Sequence, residues 1–164
     1  MSCMMTSPEV ILTIAETIAR TSAHGYEVYG VGIPESMYNE LRKHHCHSRG
    51  LGAPYVDVKP LAELLYRLNL AAYNGRYPDH QSPDALPDFD AIKPAFTVPR
   101  CEYDQRCIYT EEHYRFVGAL DFLVYQCYED ANRGNPLLHA LEELSNGWKS
   151  AIVAADARYR YGGI

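Results

Sequence analysis

Residues 110–129 read TEEHYRFVGALDFLVYQCYE, and the fold turns on this stretch. At about 100° per residue, Leu123, Phe116, Cys127, Leu120, Val124, Val117 and Tyr128 follow one another around one arc. That spacing predicts a helix packed through the arc onto a core. The opposite side is not simply polar. Tyr114, Tyr125, Phe122, Gly118 and Ala119 stand there among Arg115, Gln126, Asp121 and Glu129. A helix with apolar groups on both sides is expected to be central in its domain.

Outward from this segment the chain reads as further helices. Ser7-Pro8-Glu9 supplies an N-cap, a first-turn proline and an early acid, and Val10, Ile11, Ile14, Ala15, Ile18 and Ala19 then recur at helical spacing until Gly25. Pro34-Glu35 opens a second helix edged by Met37, Tyr38 and Leu41, expected to run through Arg42-Lys43-His44-His45-Cys46-His47 and to end by Gly50. Basic residues there would complement the helix dipole. A third helix is expected over 59–73, with Leu61, Leu64, Leu65, Leu68 and Ala72 on one face and Asn74-Gly75 as its terminator, since both residues tolerate the left-handed conformation. Asn135-Pro136 opens a last helix in which Leu137, Leu141, Leu144, Trp148, Ile152 and Ala155 keep register across Asn146-Gly147. That unbroken register favours one helix over two.

Residues 76–109 differ in kind. Pro78, Pro83, Pro87, Pro94 and Pro99 break any long helix or central strand, and Asp79, Asp84, Asp88 and Asp90 add negative charge. A short β-hairpin between 95–98 and 107–109 is expected within it. The fold class that follows is mostly α: a compact single domain over 1–164, a bundle of about five helices with this proline-rich, acidic insertion between the third and the fourth.

Composition narrows the function classes. Of 164 residues, 14 are Tyr against 4 Phe and 1 Trp. Tyr joins a flat apolar body to a polar tip, which suits half-buried positions and interfaces. The formal charge of −6 opposes direct binding to a phosphate backbone, and the one local basic stretch, 42–49, is too short to reverse that. No segment approaches 18 consecutive apolar residues, so no membrane span is expected. An odd number of cysteines, at 3, 46, 101, 107 and 127, and no leader-like start argue for free thiols in a cytoplasmic setting.

Motifs for chemistry are sparse. His44, Cys46 and His47 with Cys101 and Cys107 offer the imidazole and thiolate ligands that Zn²⁺ takes, but without a Cys-x₂-Cys or HExxH spacing. Cys46 beside Arg42 and Lys43 has the positive surroundings that favour a thiolate, yet adjacent helical side chains diverge. Asp121 interrupts an apolar and aromatic stretch, and a structural hydrogen bond between helices, through Tyr125 or an arginine, is the simpler role for it. Phosphate-loop, dinucleotide and serine-hydrolase signatures are absent.

Two expectations follow. The first is a non-enzymatic protein-interaction module, an inhibitor or adaptor without a cofactor, whose protein partner offers a basic or nucleic-acid-handling surface. Its contact residues would be Asp79, Asp84, Asp88, Asp90, Tyr103, Tyr109 and Tyr125. In type it is similar to small helical accessory or anti-defence proteins of phages and mobile elements, an analogy of class that rests on no motif. Homodimerisation through Tyr114, Phe122 and Tyr125 belongs to the same reading, should nothing in the monomer cover them. The alternative is a zinc-binding or Cys/His-dependent enzyme centred on His44, Cys46, His47, Cys101 and Cys107.

Overall fold

Five helices and one minimal hairpin make up the chain in a computed structural model that describes residues 5–24, 33–43, 46–47, 55–79, 85–99 and 109–160. The helices are α1 (Pro8–His24), α2 (Glu35–Lys43), α3 (Val58–Arg76), α4 (Glu111–Cys127) and α5 (Pro136–Arg160), with a 3₁₀ turn at Asp130–Asn132 between the last two. Strands β1 (Cys46–His47) and β2 (Tyr55–Val56) pair antiparallel, Cys46 opposite Val56. The arrangement is a helical bundle. α1 packs on α3, α2 on α5, and α4 touches α1, α3 and α5.

The apolar stripes meet in one core. Ile11, Ile14 and Ile18 of α1 face Leu61 and Leu65 of α3, and Phe116, Leu120 and Leu123 of α4 complete it with Leu141, Leu144 and Trp148 of α5. The Phe116 and Trp148 rings lie 5.1 Å apart between centroids, tilted at 52°. Stacked aromatics at this separation add to the burial of their area. Lys149 bonds Asp121, and Tyr128 bonds Glu142, so α5 runs antiparallel to α4.

Four local differences from the sequence reading have physical causes. α2 spans Glu35–Lys43, and Cys46 and His47, expected on it, lie in β1 instead. Met37 and Leu41 are its buried anchors, and no apolar residue follows within a turn to keep it on the core. α3 passes through Asn74-Gly75 to Arg76. Tertiary contacts hold that last turn: the Arg76 guanidinium donates to the Tyr128 carbonyl at 2.7 Å and pairs with Glu129 at 3.5 Å. Gly75 admits that approach, since a Cβ there would stand 3.0 Å from Glu129 Cγ. The β-pairing lies between α2 and α3. Within the insertion, 95–98 forms no strand, and 107–108 lies outside the described residues. By contrast, α5 continues unbroken through Asn146-Gly147, as its register predicts.

The second half of the insertion is packed against the bundle. Phe89 and Val98 belong to the core. The Ala95 N–H bonds the Glu9 carbonyl at 3.1 Å, the Phe96 N–H bonds the Thr13 hydroxyl at 3.3 Å, and Arg20 donates to the Val98 carbonyl at 2.6 Å. Thus 95–98 spends its polar backbone groups on α1, which leaves less for pairing with a strand.

Candidate functional site

Among the described residues, α4 is the element with the largest exposed aromatic surface. Its inner arc is buried at Phe116, Val117, Leu120, Leu123, Val124 and Cys127. Its outer face exposes Tyr114 at 46%, Phe122 at 56% and Tyr125 at 71%. Tyr128, assigned by periodicity to the buried arc, is exposed because the helix stops at Cys127 and the chain turns out of register. The sequence placed Tyr114, Phe122 and Tyr125 together, and the structure leaves all three uncovered.

Charged groups frame that face. Asp121 is exposed and pairs with Lys149 of α5 at 2.8 Å. Its role is therefore a bridge between helices at the surface, with a lysine as partner. Arg115 lies with its guanidinium 4.3 Å from the centroid of the Phe96 ring, a cation–π contact that leaves it exposed. Gly118 sits between Tyr114 and Phe122, and a Cβ built there would meet nothing within 4 Å. Val153, one turn beyond Lys149 on α5, is 67% exposed.

The N-terminus of α4 is built on a histidine. Thr110 is the N-cap, and its N–H donates to His113 Nδ1 at 2.9 Å. This is the half of a capping box that Glu or Gln ordinarily supplies. The other ring nitrogen donates to the Pro99 carbonyl, so His113 joins the packed insertion to α4. The side chain is 1% exposed, and burial pushes its pKa below the ordinary 6.5, with Arg20 acting in the same direction. Thr-x-x-His was the available sequence signal, but its reading as a cap needs the neutral tautomer that burial imposes.

The remaining sequence candidates scatter. Asp79 and Asp88 are exposed, and Asp90 pairs with Lys59 at 2.8 Å, which holds the Lys59 ammonium above its ordinary pKa. Tyr109 packs edge-on against the His113 ring at 5.4 Å. Cys46 and His47 lie in β1, not on a helix. Asp84, Tyr103, His44, Cys101 and Cys107 lie outside the described residues. Among the described residues no group of three or more His, Cys, Asp or Glu side chains forms a metal-binding arrangement. Cys127 is buried, and its thiol pKa is pushed up to about 12 by burial, which makes it an inert core group.

An open cleft of about 740 Å³ lies where the Asp130–Asn132 turn meets the start of α5, lined in part by Tyr128, Arg133, His139 and Glu142. Tyr128 donates to Glu142 there, which raises the phenol pKa to about 12. Its ionisable side chains are largely paired, Arg133 with Asp130 inside the cleft and His139 with Glu143 outside its lining. No helix among the described residues is long and apolar enough to cross a membrane. Comparison with protein-family models, curated proteins and solved structures finds no match to this chain.

Proposed function

We propose that this chain is a non-enzymatic protein-interaction module, acting as an inhibitor or adaptor does, by covering a surface, and that its contact face is the outer side of α4. The observation that carries the reading is the exposure of Phe122 and Tyr125, with Tyr114, along one side of a helix whose other side is fully packed. Large aromatics left in water on a rigid element are the residue types that dominate contact energies. Rigid presentation adds to this, because little conformational freedom is lost on binding. The exposed carboxylates of Asp79 and Asp88 add a salt-sensitive steering field.

The test is affinity capture from the native host with the wild-type chain and with the Phe122→Ala/Tyr125→Ala double variant. Proteins retained by the first and lost by the second support the reading. An identical set on both would overturn it. Asp79→Ala/Asp88→Ala is expected to weaken the same complexes only modestly, and only at low salt.

A further inference from the structure

His113 joins two parts of the chain through one ring. Its Nδ1 accepts from the Thr110 N–H at 2.9 Å, and its other nitrogen donates to the Pro99 carbonyl. The side chain is 1% exposed, and the Tyr109 ring lies edge-on against it. Both bonds together require the neutral ring with its proton on Nε2. A proton added at Nδ1 would point at the Thr110 N–H, so the cap bond cannot survive it. Glu and Gln, the usual residues at this place in a capping box, keep an acceptor at every pH near neutrality. Histidine is the side chain that loses it between about pH 5 and 8.

The surroundings of the ring set the direction of the response. Burial is the strongest influence and opposes the imidazolium, as does Arg20 of α1, whereas Glu112 favours it. Among the described residues these are the charged groups that act on it. Its place in the first turn adds to the opposition, because the N-terminal end of a helix dipole repels a cation. Letting go requires little rearrangement. Pro99 is exposed, whereas Val98 is buried and separately held by Arg20, and Phe96 by Thr13. Detaching Pro99 therefore leaves Val98 and Phe96 on α1.

We propose that His113 is a proton-released clasp: proton uptake at Nδ1 frees Pro99 and the first turn of α4 from each other while the rest of the bundle stays folded. The closed state holds the ring neutral. The open state lets it reach water and take its proton at the ordinary value of 6.5. The open population therefore grows as pH falls below 6.5, by up to about tenfold per unit, and levels off at the depressed value of the closed state. The turn so released carries Tyr114, and Arg115 beside it rests on the Phe96 ring. The clasp works the same way whatever binds the outer face of α4.

Amide hydrogen exchange on the full chain, followed by NMR from neutral to mildly acidic pH with and without low urea, reads the opening. Protection is corrected for the intrinsic pH dependence of exchange. The Thr110, His113 and Tyr114 amides, all bonded at this cap, are expected to lose up to about tenfold in protection per pH unit below 6.5. Low urea should not change their exchange, since a local opening exposes little surface. Core amides of α5 should stay better protected and respond to urea. His113→Gln keeps an acceptor and a donor but takes up no proton, so its protection should be the same across the range. In the wild type at neutral pH, the ring nitrogen shifts should show Nδ1 bare and Nε2 protonated. Protection at the three amides that ignores pH overturns the proposal, as does a loss that His113→Gln shares. So does exchange of the three amides only in step with the core, with the same urea response, because the proton would then act through global unfolding alone. A ring protonated on Nδ1 at neutral pH overturns it without any variant.

Discussion

Along α4 the inner and outer faces carry similar residues in opposite surroundings. Phe116 is fully buried against Trp148, whereas Phe122, fewer than two turns further on, stands more than half exposed. The inner face is apolar but for the buried His113 and Gln126, whereas the outer one interleaves its aromatics with Arg115, Asp121 and a glycine. Apolar content alone therefore did not make this helix central on both sides. A face that a fold buries tolerates few charges, and a face meant for intermittent contact keeps them at its edges.

The sharpest way to break that comparison is truncation on each side. Phe116→Ala should cost about 3–5 kcal/mol of unfolding free energy in denaturant titration, because it opens a cavity against Trp148. Phe122→Ala, measured at low protein concentration, should change stability by no more than about 0.5 kcal/mol. A large loss from Phe122→Ala would mean that the outer face is covered within the monomer.

Acidity tests the seam between α4 and the insertion. Burial depresses the His113 pKa, so the unfolded chain takes up a proton first, at its ordinary value of 6.5. The contribution of this side chain is complete above pH 6.5 and is lost as pH falls from there toward the depressed folded value. His113→Gln keeps the cap acceptor and should flatten the stability profile across that interval in a urea titration series. An unchanged profile would place the titration elsewhere.

Gly118→Ala should stabilise the monomer by about 1 kcal/mol through helix propensity, seen as a higher melting temperature. A loss would reveal a neighbour at a position the structure shows as open. The smallest effect belongs to Asp121→Asn, which removes an exposed ion pair with Lys149 and should cost about 0.5 kcal/mol or less.

Periodicity made α1, α4 and α5 legible, because their buried stripes run for several turns. It failed where a short-range signal met a tertiary one. Asn74-Gly75 reads as a stop, yet Arg76 is tied to the chain after α4 and draws the helix past it. The basic run after Leu41 reads as a dipole-stabilised helix end, yet without an apolar anchor it leaves the helix at Lys43. Of the candidate site, the aromatic stripe was legible, since it needs only residue type and helical phase. Which side stayed uncovered was not, because that depends on where 85–99 packs. That segment went to α1, held by Thr13 and Arg20, over 70 residues away in sequence.

The ties of the N-terminal region bear on biosynthesis. Thr6 bonds Asn69 and Gln126, partners 63 and 120 residues further along, and α1 also receives 95–98. α1 leaves the ribosome well before these partners and thus finds its full set of neighbours late, since loops of that size close slowly. Its isoleucine stripe stays available to other surfaces until α4 has been made, so a shielding factor during translation should raise the yield of native chain.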